Sequence, residues 1–146
     1  MNIYDIAFYI TSFAAVPLWA LMILLPNWSF TKKALGSVYI VLPFALPYAI
    51  LVLFHLEDIL LFLAPTPAKI EGLLSHSYSD VLAWIHFIAM DLFAGRWIYF
   101  DSRKQDFNVF VMVPILTLCF LLPPLGVSIY LIYRWFNATT KTEAAS

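Results

Sequence analysis

Charge is what this chain has least of. Of its 146 residues, 12% are Asp, Glu, Lys or Arg, where a soluble domain carries about a quarter. The net charge is −1, so no basic field attracts nucleic acid, and no nucleic-acid partner is expected. One cysteine, Cys119, excludes a disulfide within the chain. It lies in an apolar run with no other Cys and no His nearby, which reads as a small core residue. No HxxxH, ExxH or CxxC spacing occurs, so neither a metal nor another cofactor is expected. Paired haem ligation by His55 and His86 would need opposed rings at matching depth. No internal repeat is present. The first residues, Met1-Asn2-Ile3-Tyr4-Asp5, lack Lys and Arg, and the first apolar run lacks a small-x-small cleavage site. That segment is therefore expected to stay in the mature protein.

What is abundant is apolar surface: 63% of the residues are hydrophobic, 18% are aromatic, and mean hydropathy is +0.87. This composition predicts an integral membrane protein. Four stretches are long enough to cross a hydrocarbon core of about 30 Å: 6–25, 35–56, 81–100 and 109–133. The first carries Pro17, the second Pro43 and Pro47, the fourth Pro114 and Pro123-Pro124 with Gly126 close behind. Proline removes a backbone donor and bends a helix, and Pro123-Pro124 followed by Gly126 marks a strong mid-helix kink or break. Short connections favour antiparallel neighbours. The expected fold is all-α and integral to the membrane: a four-transmembrane-helix antiparallel bundle with proline-kinked helices. It forms one domain over 1–136, with a disordered tail over 137–146. Residues 68–77 are expected to form a short helix on the membrane surface. Lys32, Lys33, Arg103 and Lys104 sit in the turns after the first and third segments. Positive charge faces the cytoplasm or an equivalent compartment, which puts both termini outside or in a lumen.

The third segment places His86, Asp91 and Arg96 inside an apolar run, each costing a few kcal/mol or more in hydrocarbon. A plain anchor would avoid them. At helical pitch His86 and Asp91 point about 140° apart, and Arg96 lies as far again around, so the three cannot form one cluster. Asp91 shares a face with Trp84, Phe87, Ala94, Gly95 and Ile98. The small pair Ala94-Gly95 admits a neighbouring helix there, and this face is read as inward. Depth groups His55, Glu57 and His86 at the outer level, and Arg96, Asp101 and Asn27 at the inner one. His86 suits acid/base work near neutral pH, and Asp91 in apolar surroundings suits proton donation. The plain alternatives are a histidine bonded to a carbonyl, an aspartate bracing a helix contact, and an arginine snorkelling to headgroups.

Trp84-Ile85-His86, Asp91-Leu92-Phe93-Ala94, Arg96, Tyr99 and Asp101, in that order and spacing, resemble the signature of the plant neoxanthin synthase family, the abscisic-acid-deficient class. Pro26-Asn27 with Thr31-Lys32-Lys33 resembles that family's first loop. The resemblance implies a carotenoid substrate held in the membrane and a redox-neutral isomerisation, violaxanthin to neoxanthin, in which an epoxide opens to an allene. It carries His86, Asp91, Arg96, Tyr99, Asp101 and Asn27 over as site positions. Our reading takes His86 as base, with Asp91 or Glu57 as acid. Arg96 with Asp101, aided by Tyr99, His55, Asn27 and Trp84, holds the substrate. The short N-terminus points to a bacterial member in an inner or thylakoid membrane. So small a unit encloses little, which favours a site facing lipid or shared in a homo-oligomer. Two other readings stay open: a non-enzymatic carotenoid-binding or assembly protein, and a proton- or ion-linked transporter subunit.

Overall fold

A computed structural model describes residues 2–59, 63–76 and 78–143, with side chains for all of these except 59 and 139–143. Every regular element among the described residues is helical. The first helix, α1 (Ile3–Leu24), opens on a reciprocal cap. The Asn2 amide donates to Asp5 Oδ2 at 2.9 Å, and the Asp5 amide donates to Asn2 Oδ1 at 2.8 Å. Two otherwise orphaned donors are satisfied this way. Thr11, buried on this apolar helix, returns its hydroxyl to the Ala7 carbonyl at 2.7 Å.

The second predicted span is not one helix. After α2 (Ser29–Ala34), which precedes the span, it holds a 3-10 turn (Val38–Val41) and α3 (Leu42–Leu53), and α4 (Leu56–Ile59) begins at its last residue. Gly36-Ser37 interrupts it, and Pro43 stands in the first turn of α3, where its missing N–H costs nothing. Pro43 therefore starts a helix instead of kinking one. A short helix does form where one was expected over 68–77: α5 (Pro67–Leu74), capped by Thr66 Oγ1, which accepts from the Lys69 amide at 3.3 Å. Ser77 and residues 60–62 lie outside the described residues.

The third span is α6 (Ser79–Lys104), continuous through all the predicted polar positions. It ends in a Schellman arrangement: Asp106 adopts φ 56°, its amide reaches the Arg103 carbonyl, and the Phe107 amide reaches the Ser102 carbonyl at 2.9 Å. The fourth span is corrected most. Leu122, held out of the helical region by the proline that follows it, has φ −142° and ψ 75° and separates α7 (Val109–Leu121) from α8 (Pro123–Glu143). The two helices fold back on one another. Gly126 lies against Cys119, and the Phe107 ring reaches Tyr130 and Tyr133 at centroid distances of 6.3 and 5.0 Å. One kinked span is therefore an antiparallel hairpin. The backbone of α8 also continues through 137–143, where a disordered tail was expected; 144–146 lie outside the described residues.

Two helices, Ile3–Leu24 and Ser79–Lys104, are long and apolar enough to cross a membrane, and Val38–Leu53 and Val109–Leu121 are shorter apolar helices. Large apolar side chains stand outward on them: Phe13 is 72% exposed and Phe110 88%. The contacts gather into two compact units. One is Met1–Pro17 with Val38–Met90, the other Leu18–Ser37 with Asp91–Ser146. In the first, Ala15, Phe44, Leu51 and Ile85 are buried, and the Trp84 indole donates to Ser12 Oγ at 2.9 Å. In the second, Trp19, Met22, Leu35, Leu92, Ile98, Leu116 and Tyr130 form the core. There Gly95 is small enough to seat the Trp19 indole.

Candidate functional site

The unit built from Met1–Pro17 and Val38–Met90 holds a cavity of about 380 Å³. Helical spacing explains its walls. Tyr48, Val52 and His55 follow one another at four and three residues on α3 and its C-terminal turn, and Ser79, Leu82 and His86 at three and four on α6. Each set lines one face. Leu73 and Leu74 of α5 close another side, and Asp58 of α4 and Tyr78 complete the polar part. α5 and α6 are joined through the Leu73 carbonyl, which accepts from Ser79 Oγ at 2.6 Å.

Four side chains in this unit form one bonded set. Tyr4 Oη lies 2.7 Å from His55 Nε2. The His55 ring stacks on Tyr78, with centroids 3.7 Å apart and planes 14° from parallel. His55 Nδ1 is 3.9 Å from Asp58 Oδ2, and the Tyr78 hydroxyl donates to that same oxygen. With its proton on Nδ1 toward Asp58, His55 presents Nε2 as acceptor to the Tyr4 hydroxyl. The hydrogen bond to Asp58, then burial, then the carboxylate's charge push the Tyr78 phenol from its ordinary 10.0 up to about 12. The neutral phenol is thus favoured by the fold. Its contribution to stability is complete below pH 10 and is lost as the pH rises toward 12. In a tyrosinate absorbance titration, the transition missing from Tyr78→Phe is expected near pH 12. Asp58→Asn should bring it back toward 10; an unchanged midpoint would sink the assignment. His86, in contrast, is exposed, sits with its ring 5.1 Å from Tyr48, and makes no hydrogen bond among the described residues.

Of the expected outer group, His55 and His86 line the same cavity, while Glu57 is exposed and makes no hydrogen bond or ion pair among the described residues. Asp58 stands where Glu57 was expected. The signal was available: residues three apart on a helix meet, and residues two apart do not. Tyr4 and Tyr78 carried no such signal, Tyr4 being 51 residues from His55 in the chain. Trp84 is half exposed and bonded to Ser12.

The expected inner group is not one cluster. Arg96 donates from Nε to the Leu35 carbonyl at 2.8 Å and from Nη2 to the Gly36 carbonyl at 2.9 Å, with its guanidinium 4.9 Å from the Phe100 ring centre. Tyr99, fully buried, donates to the Pro26 carbonyl at 2.8 Å, and Arg103 lies over its ring and bonds the same carbonyl. Thr31 donates to the Leu25 carbonyl at 2.7 Å. These side chains satisfy the backbone around α2, where neighbouring carbonyls lack helical partners. Asp101 binds Tyr130 Oη at 2.5 Å and Arg134 Nε at 2.8 Å, so its cation is Arg134 and not Arg96. Asn27 is exposed. Asp91 is half buried and carries no hydrogen bond or ion pair among the described residues. Of the residues that carried the resemblance in this unit, Thr31, Arg96, Tyr99 and Asp101 thus brace helices, and Asn27 and Asp91 do not.

The described residues are helical throughout their regular elements, with two helices long and apolar enough to cross a membrane and a cavity lined by imidazole, carboxylate and phenol, which defines a class: helical proteins with membrane-length apolar helices. Within that class, the chain belongs to the ABA DEFICIENT 4-like family, whose model matches residues 6–130. It is 28% identical over 136 residues to protein ABA DEFICIENT 4, chloroplastic, of Arabidopsis thaliana, an alignment covering 82% of this chain and 56% of that protein. The chain therefore spans little more than half the length of that relative. No solved structure matches it.

Proposed function

We propose that this protein is a multi-pass membrane protein that isomerises the oxygenated end group of a xanthophyll by redox-neutral acid/base chemistry, as a neoxanthin synthase does. The observation that carries the reading is the imidazole of His86, which makes no hydrogen bond among the described residues, in one apolar cavity with His55, Asp58 and Tyr78. The volume of about 380 Å³ falls in the range of small-molecule sites. It suits one cyclic end group, and the polyene would lie outside it along exposed apolar helix surface.

For an epoxide end group the steps balance without an oxidant. His86 takes the proton from the chain carbon next to the ring. The released electron pair forms the second double bond of an allene, and the ring-carbon–oxygen bond of the epoxide breaks. The oxygen, still held by the neighbouring carbon, takes a proton from His55 and becomes a hydroxyl. An imidazolium at His55 has the Asp58 carboxylate 3.9 Å from Nδ1 as its counter-charge. His55 thereby takes the acid role that Asp91 or Glu57 held in the reading of the sequence.

The basic turns, with Lys32, Lys33, Arg103 and Lys104, face the cytoplasm or stroma in this arrangement, in an inner or thylakoid membrane. The expected orientation had both termini outside; our reading sets the C-terminus on the side of the basic turns, and the reversal at Leu122, which turns α8 back along α7, supports it. The deciding experiment compares carotenoid profiles of a producing cell with and without the gene. A new xanthophyll of unchanged mass, formed as its precursor falls, supports the reading. Pigment that copurifies with an unchanged profile would replace it with a binding or assembly role.

A further inference from the structure

We propose that the surface around α2 (Ser29–Ala34) is a binding site for the headgroup of an anionic lipid. Charge complementarity carries the argument. No Asp or Glu occurs anywhere from residue 6 to residue 56. Within that stretch Lys32 and Lys33 end α2, both exposed and without an ion-pair partner among the described residues. Two further cations are brought to the same short helix from α6. Arg96 holds the Leu35 and Gly36 carbonyls just past its C-terminus, and Arg103 holds the Pro26 carbonyl just before its N-terminus.

Neutral carbonyls satisfy the guanidinium hydrogens without cancelling the charge. Among the described residues Asp101 is the carboxylate of this unit held in an ion pair, and it is taken by Arg134. Asp91 and Asp106 pair with no cation among the described residues. Four positive charges thus surround a six-residue helix with no bonded counter-charge among the described residues.

A second feature selects a lipid headgroup as the source of the anion. Trp28 and Phe30, half exposed with ring centres 4.9 Å apart, flank the lysines. Aromatic rings of this kind settle at headgroup depth. Basic residues beside them draw anionic lipids at about 1 kcal/mol each. The site is also pre-set. Thr31 is fully buried and bonded to the Leu25 carbonyl, so α2 is held in place before any lipid arrives. This inference does not depend on the isomerase reading.

The test uses the full chain in detergent, with phosphatidylglycerol, phosphatidylcholine of the same acyl chains, and inorganic phosphate as separate probes. Retained lipid is read by native mass spectrometry and protection by thermal melting. Phosphatidylglycerol is expected to be retained and to raise the melting temperature, and phosphatidylcholine and inorganic phosphate are not. Lys32→Gln with Lys33→Gln, both at exposed positions, should weaken phosphatidylglycerol retention roughly tenfold to thirtyfold while helical content is unchanged. Equal retention of the two lipids, full preference in the double variant, or equal protection by inorganic phosphate would each overturn the proposal.

Discussion

On the proposed isomerase reading, His86→Ala is expected to lower the rate of xanthophyll isomerisation by about 100-fold or more, the scale on which a positioned general base contributes. Folding should be little affected. His86 is exposed, and its only contacts of note are ring contacts with Tyr48 and Phe87. Its removal opens no buried void and strands no hydrogen-bond partner. His55→Ala is a different experiment. It unstacks Tyr78, frees the Tyr4 hydroxyl and leaves Asp58 without its imidazole, so melting temperature and activity should fall together. The comparison separates chemistry from architecture: product formed per mole of protein, bound pigment and melting curve, measured on both variants. Turnover lost at His86→Ala with pigment retained makes His86 the base. Full turnover in that variant would remove His86 from the reaction and, with it, the free group on which the proposed chemistry turns.

How much of this was legible beforehand depended on the range of the interaction. The long third helix was read from its apolar run, and α6 extends it by about half a turn at its start and about one turn at its end. The Ala94-Gly95 face was read as a helix contact, and the Trp19 ring lies against Gly95. Pro123-Pro124 was recognised as a break. Whether the chain bends there or doubles back is decided by what its far side packs on, here Phe107 against Tyr130 and Tyr133, and no local pattern encodes that. The break at Gly36 was missed because the run from 35 to 56 is mostly apolar. Arg96, 60 residues later in the chain, holds the Gly36 carbonyl there. The polar residues of α6 showed the same limit. The cost of Arg96 in hydrocarbon marked it as important, but its partners are the backbone carbonyls of Leu35 and Gly36, as that of Tyr99 is the Pro26 carbonyl, and carbonyls leave no trace in a sequence. His55 and His86 were placed at one level by depth alone, and they do line one cavity. Tyr4 and Tyr78 reach it only through tertiary contact.

Gly126→Val is expected to cause the largest loss of stability of any single change at a glycine. A Cβ at 126 would stand 2.4 Å from the Cys119 backbone nitrogen and 2.5 Å from its Cα. Main chain cannot turn aside as a rotamer can, so α7 and α8 would have to separate along the hairpin. Overpacking usually costs about 1–3 kcal/mol, and a clash with backbone belongs at or above the upper end. Gly126→Ala should already show much of it. At Gly95 the obstacle is the Trp19 ring, 2.3 Å from the added atom; a side chain has some freedom to shift, so Gly95→Ala should cost less. Gly72 provides the control, because nothing lies within 4 Å of its added Cβ. Gly72→Ala within α5 should be neutral or stabilising by about 0.5–1 kcal/mol. The lone cysteine makes the effect measurable without unfolding the protein. Cys119 is fully buried at the point where the two helices touch, so its thiol should resist a maleimide in the native chain and react readily once Gly126→Val has parted the hairpin. Equal labelling rates in the two proteins would mean that α7 and α8 are not packed through this glycine, and the reversal at Leu122 would have to be given up.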